Sequence, residues 1–260
     1  MIHPTAIIAP TARLAPDVEA GPYAIIEDGV CIGPGCRIAA HAQVLTGVTM
    51  GARNVVDRGA VIGGNPQSLS FDTSRPSRVR IGDDNIFREH VTVHRSAAEN
   101  GETVLGSHNF LMAGCHLGHD SILGDHNVLA NGVLIAGHVT VGSRCFLGGG
   151  AGFHQFIRIG DLAMVQGNSA FSKDMPPFST GYGINLGGGL NVVGLRRAGF
   201  DNAARLELKR AWAAVYQSVH GPVKGATAAL EASGWSDAAQ LYLRFIAATG
   251  SKGIVGPART

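Results

Sequence analysis

Charge is scarce in this 260-residue chain, and so are cysteine, proline and aromatic residues: Asp, Glu, Lys and Arg make up 15%, aromatics 6%, with 4 cysteines and 11 prolines. A net charge of +2 and scattered basic residues, clustered only at Arg196 and Arg197, leave no electrostatic footprint for nucleic acid, and no such partner is expected. A hydrophobic content of 45% excludes a disordered chain, and 37 glycines without a strict triplet exclude collagen. The longest charge-free run, Met175 to Leu195, is interrupted by Gly, Asn and Pro and cannot span a bilayer, so no transmembrane segment is expected. Met1-Ile2-His3-Pro4 lacks the basic start and apolar run of a secretory leader. Cys31, Cys36, Cys115 and Cys145 lack zinc-type spacing and suit a reducing compartment. A cytoplasmic protein is expected.

What is present is a period of six. Sampling from Ile2 gives Ile8, Leu14, Ala20, Ile26, Ile32, Ile38, Val44, Met50, Val56 and Ile62. The frame breaks, resumes at Ile81, Phe87 and Val93, breaks again, and then runs from Leu105 through Leu111, Leu117, Leu123, Leu129, Ile135, Val141, Leu147, Phe153, Ile159 and Val165 to Phe171. Two residues before the apolar position the residue is mostly small, as at Ala24, Cys36, Ala42, Asn109, Cys115, Ser121, Cys145 and Ala163; the residue after it is often Gly, as at Gly51, Gly106, Gly124 and Gly142. Neither a helix nor a simple alternating strand has this period. Short strands joined by tight glycine turns and stacked as a solenoid do. Three hexads make a triangular coil, so residues 18 apart stack, with coils about 4.8 Å apart. Cys36, Cys115 and Cys145 then fall inside as packing residues.

The fold expected is all-β: a parallel β-helix over 1–185, with excursion loops near 63–80 and 94–104, then a connector and a small helical domain over 186–260. In the latter, Asp201 caps a helix with Leu208, Trp212, Val215, Tyr216 and Val219 on one face, ending at Gly221-Pro222. A second helix is expected over Ala226 to Ala232 and a third from Ser236, with Leu241, Phe245 and Ile246 apolar.

Stacking arithmetic gathers chemistry on one corner. His119, Gly137 and Gln155 form a column; Asp120, His138 and Phe156 form the next; Gly118, Ala136 and His154 lie on the other side, and His116 precedes His119 by three residues. Solenoid folding demands none of this. Two chemistries fit: a histidine general base oriented by a carboxylate, with the Gly137 N–H as an oxyanion donor, or three imidazoles holding a zinc with an open position, with ligands drawn from one or two subunits.

The ordered motifs Cys115-His116-Leu117-Gly118-His119-Asp120, Ala136-Gly137-His138-Val139, His154-Gln155-Phe156, Pro176-Pro177 and Gly194-Leu195-Arg196-Arg197-Ala198-Gly199-Phe200 resemble the UDP-N-acetylglucosamine O-acyltransferases that begin lipid A biosynthesis. The resemblance covers nearly the whole chain. It implies a left-handed β-helix, a homotrimer with active sites between subunits, and transfer of an R-3-hydroxyacyl group from acyl carrier protein to a sugar 3-hydroxyl. Acyl carrier protein and a sugar nucleotide are thereby the partners; the carrier is a donor substrate, and no cofactor or metal is implied. His119 becomes the base, Asp120 its orienting partner and Gly137 the oxyanion donor. His116, His138, His154 and Gln155 line the substrates, Asn191 and Arg197 face the nucleotide, and Gly167 leaves the acyl groove open to long chains. The family's Asp-Leu-Lys in the first loop reads Ser68-Leu69-Ser70 here, with Arg75 and Arg78 as candidate replacement charges. Val193 stands where the family has an acid, and Ala198 where it has an arginine. A different acceptor, taken with the same donor and base, is the alternative these departures raise.

Overall fold

A hexad has room for a strand of two residues and a corner, and that is what forms. In the computed structural model, which describes residues 1–232 and 234–257, His116–Leu117 pairs in parallel with Leu134–Ile135, and that with Gly152–Phe153. The second residue of each strand is buried in the prism and the first faces outward. Three sheets result, of nine, eight and eleven strands. Face 1 begins at Ile7–Ile8 and ends at Ala170–Phe171, face 2 runs from Arg13–Leu14 to Arg158–Ile159, and face 3 starts at Glu19–Ala20. The apolar hexad column fills the interior, and Cys36, Cys115 and Cys145 are buried within it as expected.

The glycines after the apolar positions do not make the turns. Left-handed backbone sits two residues further on, at His108, His126 and Arg144, with φ of +58°, +57° and +59°. The glycines serve close stacking instead: a Cβ on Gly124 would stand 2.8 Å from the Gly142 carbonyl oxygen. That close approach lets alternating Asp and Ser side chains reach back to corner N–H groups. Asp125 accepts from Ser107 N–H at 2.6 Å, Ser143 from Asp125 at 3.0 Å and Asp161 from Ser143 at 2.7 Å. Inside, the side-chain oxygens of Asn85, Asn109 and Asn127 accept from the N–H groups of Asn109, Asn127 and Cys145 at 2.8–2.9 Å. Buried backbone donors at the corners are thus satisfied without strands.

The frame breaks are excursions. Val61 pairs with Thr92, a step of 31 residues instead of 18, and Val79 with Thr103, a step of 24. Strand pairing reaches into both, so the unpaired loops are shorter than expected, 65–77 and 95–101. Arg75 donates to the Ala97 carbonyl at 3.0 Å, and Arg78 pairs with Glu102 at 3.8 Å, so both candidate charges have partners inside the chain.

Beyond Phe171 the chain is more ordered than a connector. Ser179–Tyr182 and Leu186–Leu190 form an antiparallel hairpin that extends face 3, followed by α1 (Val192–Arg197). The helix capped by Asp201, α2 (Asn202–Tyr216), stops short of Gly221, because Ser218 draws the His220 and Gly221 N–H groups into a turn. Val219 is therefore not on its buried face but 93% exposed. Pro222, with φ preset for a first helical turn, opens α3 (Pro222–Glu231) four residues before the expected start. In α4 (Asp237–Ala247) Ile246 is buried, Phe245 partly so and Leu241 exposed. These helices pack on their own prism: Arg158 binds Asp174 at 2.6 Å, stacks on Phe245 at 4.3 Å and donates to its carbonyl. Among the described residues no helix is long and apolar enough to cross a membrane.

Candidate active site

Strand His116–Leu117 leaves face 1 through a corner in which Asp120 takes left-handed backbone, φ +61°, and the coils above repeat the turn at His138 (+59°) and Phe156 (+65°). The stacking is direct, since the His138 N–H donates to the His119 carbonyl at 2.9 Å. Within the corner His119 Nδ1–H donates to Asp120 Oδ2 at 2.7 Å, which fixes the tautomer and leaves Nε2 with its lone pair. Nε2 lies against Gly137: a Cβ there would be 2.6 Å from it. Gly137 is buried, and its N–H donates no hydrogen bond among the described residues. A basic nitrogen and an unspent amide therefore share one small space.

Asp120 is held from all sides. Its side chain is 12% exposed and accepts from Ser96 Oγ–H and, at 3.0 Å, from the Ala97 N–H; its own N–H donates to Thr103 Oγ1 at 2.8 Å. Burial alone raises the carboxyl's proton affinity, but the hydrogen bonds from Ser96, His119 and Ala97 outweigh it and hold Asp120 below the usual carboxylate range. His138 Nε2 stands 3.7 Å from Asp120 Oδ2, with its ring stacked on Phe156 at 4.5 Å.

From this corner a groove crosses face 1, lined by Thr92, His94, His116, Leu134, Gly152 and Gln155, with Gln67 of the first loop at its rim. Thr92 Oγ1 hydrogen-bonds His116 Nδ1 at 2.8 Å, and His94 meets the His116 ring edge-on at 4.7 Å. Burial, then the neighbouring imidazoles, pushes His94 down to about 4 and lowers His116. Both are neutral near pH 7.

The structure brings together His116, His119, Asp120, Gly137, His138 and Gln155. It turns His154 away, exposed, toward Lys252 Nζ at 3.5 Å. Gly167 lies across face 1, at the corner before Ala170–Phe171, and is exposed. Asn191 caps α1, accepting from the Gly194 N–H and donating to the Leu162 carbonyl, each at 2.9 Å, while Arg197 is exposed in the last turn of α1. Sequence reasoning passed over His94, Ser96, Thr103 and Lys252. For Ser96 a signal existed: adding the six-residue frame break to the 18-residue coil places it directly beneath Asp120.

The His119–Asp120–His138 group offers ligand atoms within 4.8 Å of one another, enough for a metal by distance alone. Its carboxylate is already committed, Oδ1 to Ser96 and Oδ2 to Ala97 and His119. That donor set describes a hydrogen-bonded base better than an ion cage.

A parallel prism of hexads, an oriented imidazole over an open glycine amide and a helical cap together define a transferase of the hexapeptide-repeat class. A family model for bacterial transferase hexapeptide repeats matches residues 102–137, and one described as UDP N-acetylglucosamine O-acyltransferase, domain 2, matches 174–255. The acyl-[acyl-carrier-protein]–UDP-N-acetylglucosamine O-acyltransferase of Syntrophobacter fumaroxidans is 43% identical, over 84% of this chain and 85% of that one. The UDP-N-acetylglucosamine acyltransferase structure from Francisella novicida superposes with a TM-score of 0.95 at 29% identity, covering 100% of this chain and 95% of that one. That from Campylobacter jejuni gives 0.92 at 34%, covering 100% of both. The chain belongs to the UDP-N-acetylglucosamine O-acyltransferase family, and its fold is the left-handed parallel β-helix.

Proposed function

We propose that this enzyme transfers an R-3-hydroxyacyl chain from acyl carrier protein to the 3-hydroxyl of a UDP-amino-sugar of the UDP-N-acetylglucosamine type, the first step of lipid A biosynthesis. One observation carries the reading: His119, oriented through Nδ1 by the hydrogen-bonded Asp120 carboxylate, presents Nε2 beside Gly137, whose N–H donates no hydrogen bond among the described residues. Nε2 takes the hydroxyl proton as the oxygen attacks the thioester carbonyl, and the Gly137 N–H stabilises the oxyanion. Collapse breaks the C–S bond, and the imidazolium returns its proton to the departing thiolate, giving ester and thiol. Asp120 stabilises the imidazolium throughout.

His116, His138 and Gln155 line the acceptor and the pantetheine-linked acyl group; His154, directed at Lys252 in the single chain, joins them only from outside the groove; Asn191 and Arg197 face the nucleotide; and Gly167 borders the acyl path. The working form is a cytoplasmic homotrimer with each site completed by a neighbour. Support comes from face 3, where Val55, Ile86, Phe110, Val128, Phe146 and Met164 are successive register partners on the outer surface. Ile86 and Phe146 remain 39% and 43% exposed in the single chain, an apolar stripe that calls for cover. Ser68 and Ser70, hydrogen-bonded to each other at 3.1 Å on the first loop, favour a changed acceptor contact, so the sugar is best sought in a panel.

The test incubates the protein with 3-hydroxyacyl carrier protein and a series of sugar nucleotides and reads products by mass spectrometry. An O-acylated UDP-amino-sugar is expected. No acylated nucleotide from any acceptor overturns the proposal, as does near-stoichiometric zinc in active protein. Light scattering at micromolar concentration is expected to give a trimer.

A further inference from the structure

The second excursion, 95–101, has no part in the prism, yet it places two donors on the catalytic carboxylate. We propose that Ser96 is a positioning residue for the base: its buried hydroxyl fixes the Asp120 carboxylate so that His119 keeps Nε2 over Gly137. The proposal rests on the acyl-transfer reading of the same His–Asp pair.

Ser96 is fully buried, and its Oγ accepts from the Ala98 N–H at 3.0 Å. With that lone pair engaged, the single hydroxyl proton is directed to Asp120 Oδ1. The Ala97 N–H and His119 both bind the other oxygen. Without Ser96 nothing binds Oδ1 among the described residues, and the carboxylate can rotate about its bond to Cβ. The seryl group is itself anchored. Its carbonyl accepts from Ser77 Oγ–H at 2.6 Å, at the base of the first loop. Beside it Arg95 donates to Asn65 Oδ1 at 2.9 Å and to the Thr73 and Arg75 carbonyls at 2.8 Å, and its guanidinium lies 5.1 Å from the Phe71 ring centroid. The clamp on Asp120 is thus cross-linked to the loop that carries Gln67 to the groove.

A hydroxyl suits the task because it adds a donor without adding charge. It also lowers the carboxylate's proton affinity, moderating the pull of Asp120 on the imidazolium. Removing it makes Asp120 a stronger acceptor for the His119 Nδ1–H.

The experiment compares wild type with Ser96→Ala and with Ser96→Gly, which removes the hydroxyl without leaving a methyl against the carboxylate. The His119 Nδ1–H proton, which reports the hydrogen bond to Asp120, is followed by NMR, a readout that needs no substrate, and turnover is measured with both substrates varied. That resonance is expected to move, because Asp120 loses the donor that holds Oδ1 while Oδ2 keeps its bond to His119. In parallel kcat falls about tenfold while both KM values stay within about twofold, as for lost alignment rather than lost binding. An unmoved Nδ1–H resonance in the folded variants, or kcat within about twofold of wild type, overturns the assignment. A wild type inert toward every acyl donor overturns the acyl-transfer reading instead, and the Nδ1–H resonance still decides on Ser96.

Discussion

Replacing Gly137 by alanine tests the site where its tolerance is smallest. An alanine Cβ would lie 2.6 Å from His119 Nε2, 2.7 Å from Cε1 and 3.0 Å from Cδ2, while ordinary contact begins at 3.4 Å. The imidazole must therefore retreat by about 0.8 Å, and misplacement of a reacting group by about 1 Å costs on the order of 10²-fold in rate. Its other end is tied to Asp120 at 2.7 Å, so the retreat stretches or rotates the bond that orients the base. The backbone at Gly137 is not left-handed, and alanine there reduces the entropy of the unfolded chain, worth about 0.4–1 kcal/mol in its favour. Gly137→Ala should thus lose roughly 100-fold in kcat with a melting temperature within a few degrees of wild type. Gly118→Ala is the contrast. Its Cβ would meet the Gly137 backbone nitrogen at 2.6 Å and the Ala136 carbonyl carbon at 2.7 Å, so the backbone must move, and a stability loss of about 1–3 kcal/mol is expected. Steady-state kinetics and thermal unfolding separate the two. More than about a third of wild-type turnover in Gly137→Ala would refute the placement of Nε2 over that glycine.

His119→Ala should cost about 10²–10⁴ in rate with little loss of stability; retention of more than about a tenth of the activity would remove the histidine from the role of base. Gly167→Met should shift donor preference, measured over a chain-length series, from about fourteen-carbon 3-hydroxyacyl groups toward shorter ones, since each buried methylene contributes roughly 0.8 kcal/mol; an unchanged profile means that Gly167 does not set length. His94, depressed from 6.5 to about 4 by burial, stays neutral in the fold and binds its proton first in the unfolded chain. Its contribution is complete above pH 6.5 and is lost as pH falls from there to 4, amounting to about 3 kcal/mol. Urea unfolding at neutral pH and in that window should show His94→Gln to be less acid-sensitive than wild type; equal sensitivity would count against a buried neutral imidazole.

The prism was legible because its period is enforced by geometry. The apolar column that fills it recurs at six, and stacking at 18 places His119, Asp120, Gly137, His138 and Gln155 on one corner from the sequence alone. The same arithmetic fails where direction matters. A column says which residues stack and nothing of where a side chain turns, so His154 shares the corner by register yet faces Lys252. The hexad glycines show a second failure: a small residue is read as a turn former, whereas Gly124 is small because a Cβ there would stand 2.8 Å from the Gly142 carbonyl oxygen of the next coil. Past Phe171 no period remains. The hairpin of Ser179–Tyr182 with Leu186–Leu190, rich in glycine and held by continuing face 3, was therefore invisible to local propensity.

The excursions belong to a different case. Read as interruptions, they halt the stacking arithmetic, and the residues on either side lose their vertical neighbours. Treated as insertions of known length, they restore it: the step from Thr92 to His116 is 24, one coil plus six residues, and the same step carries Ser96 to Asp120. A six-residue insertion placed at the corner after Thr92–His94 is what allows the chain to leave the prism, turn Ser96 and Ala97 inward against the carboxylate, and return at Glu102. An uninterrupted coil has four residues at that corner, as in 118–121 between His116–Leu117 and Ile122–Leu123, and must spend them on the turn. The insertion releases the backbone from stacking, so its N–H and hydroxyl donors can point at a side chain one coil above. The break in the repeat and the orientation of the base therefore have one physical cause, and other solenoids can be searched the same way, by asking which insertions lie one coil beneath a buried carboxylate.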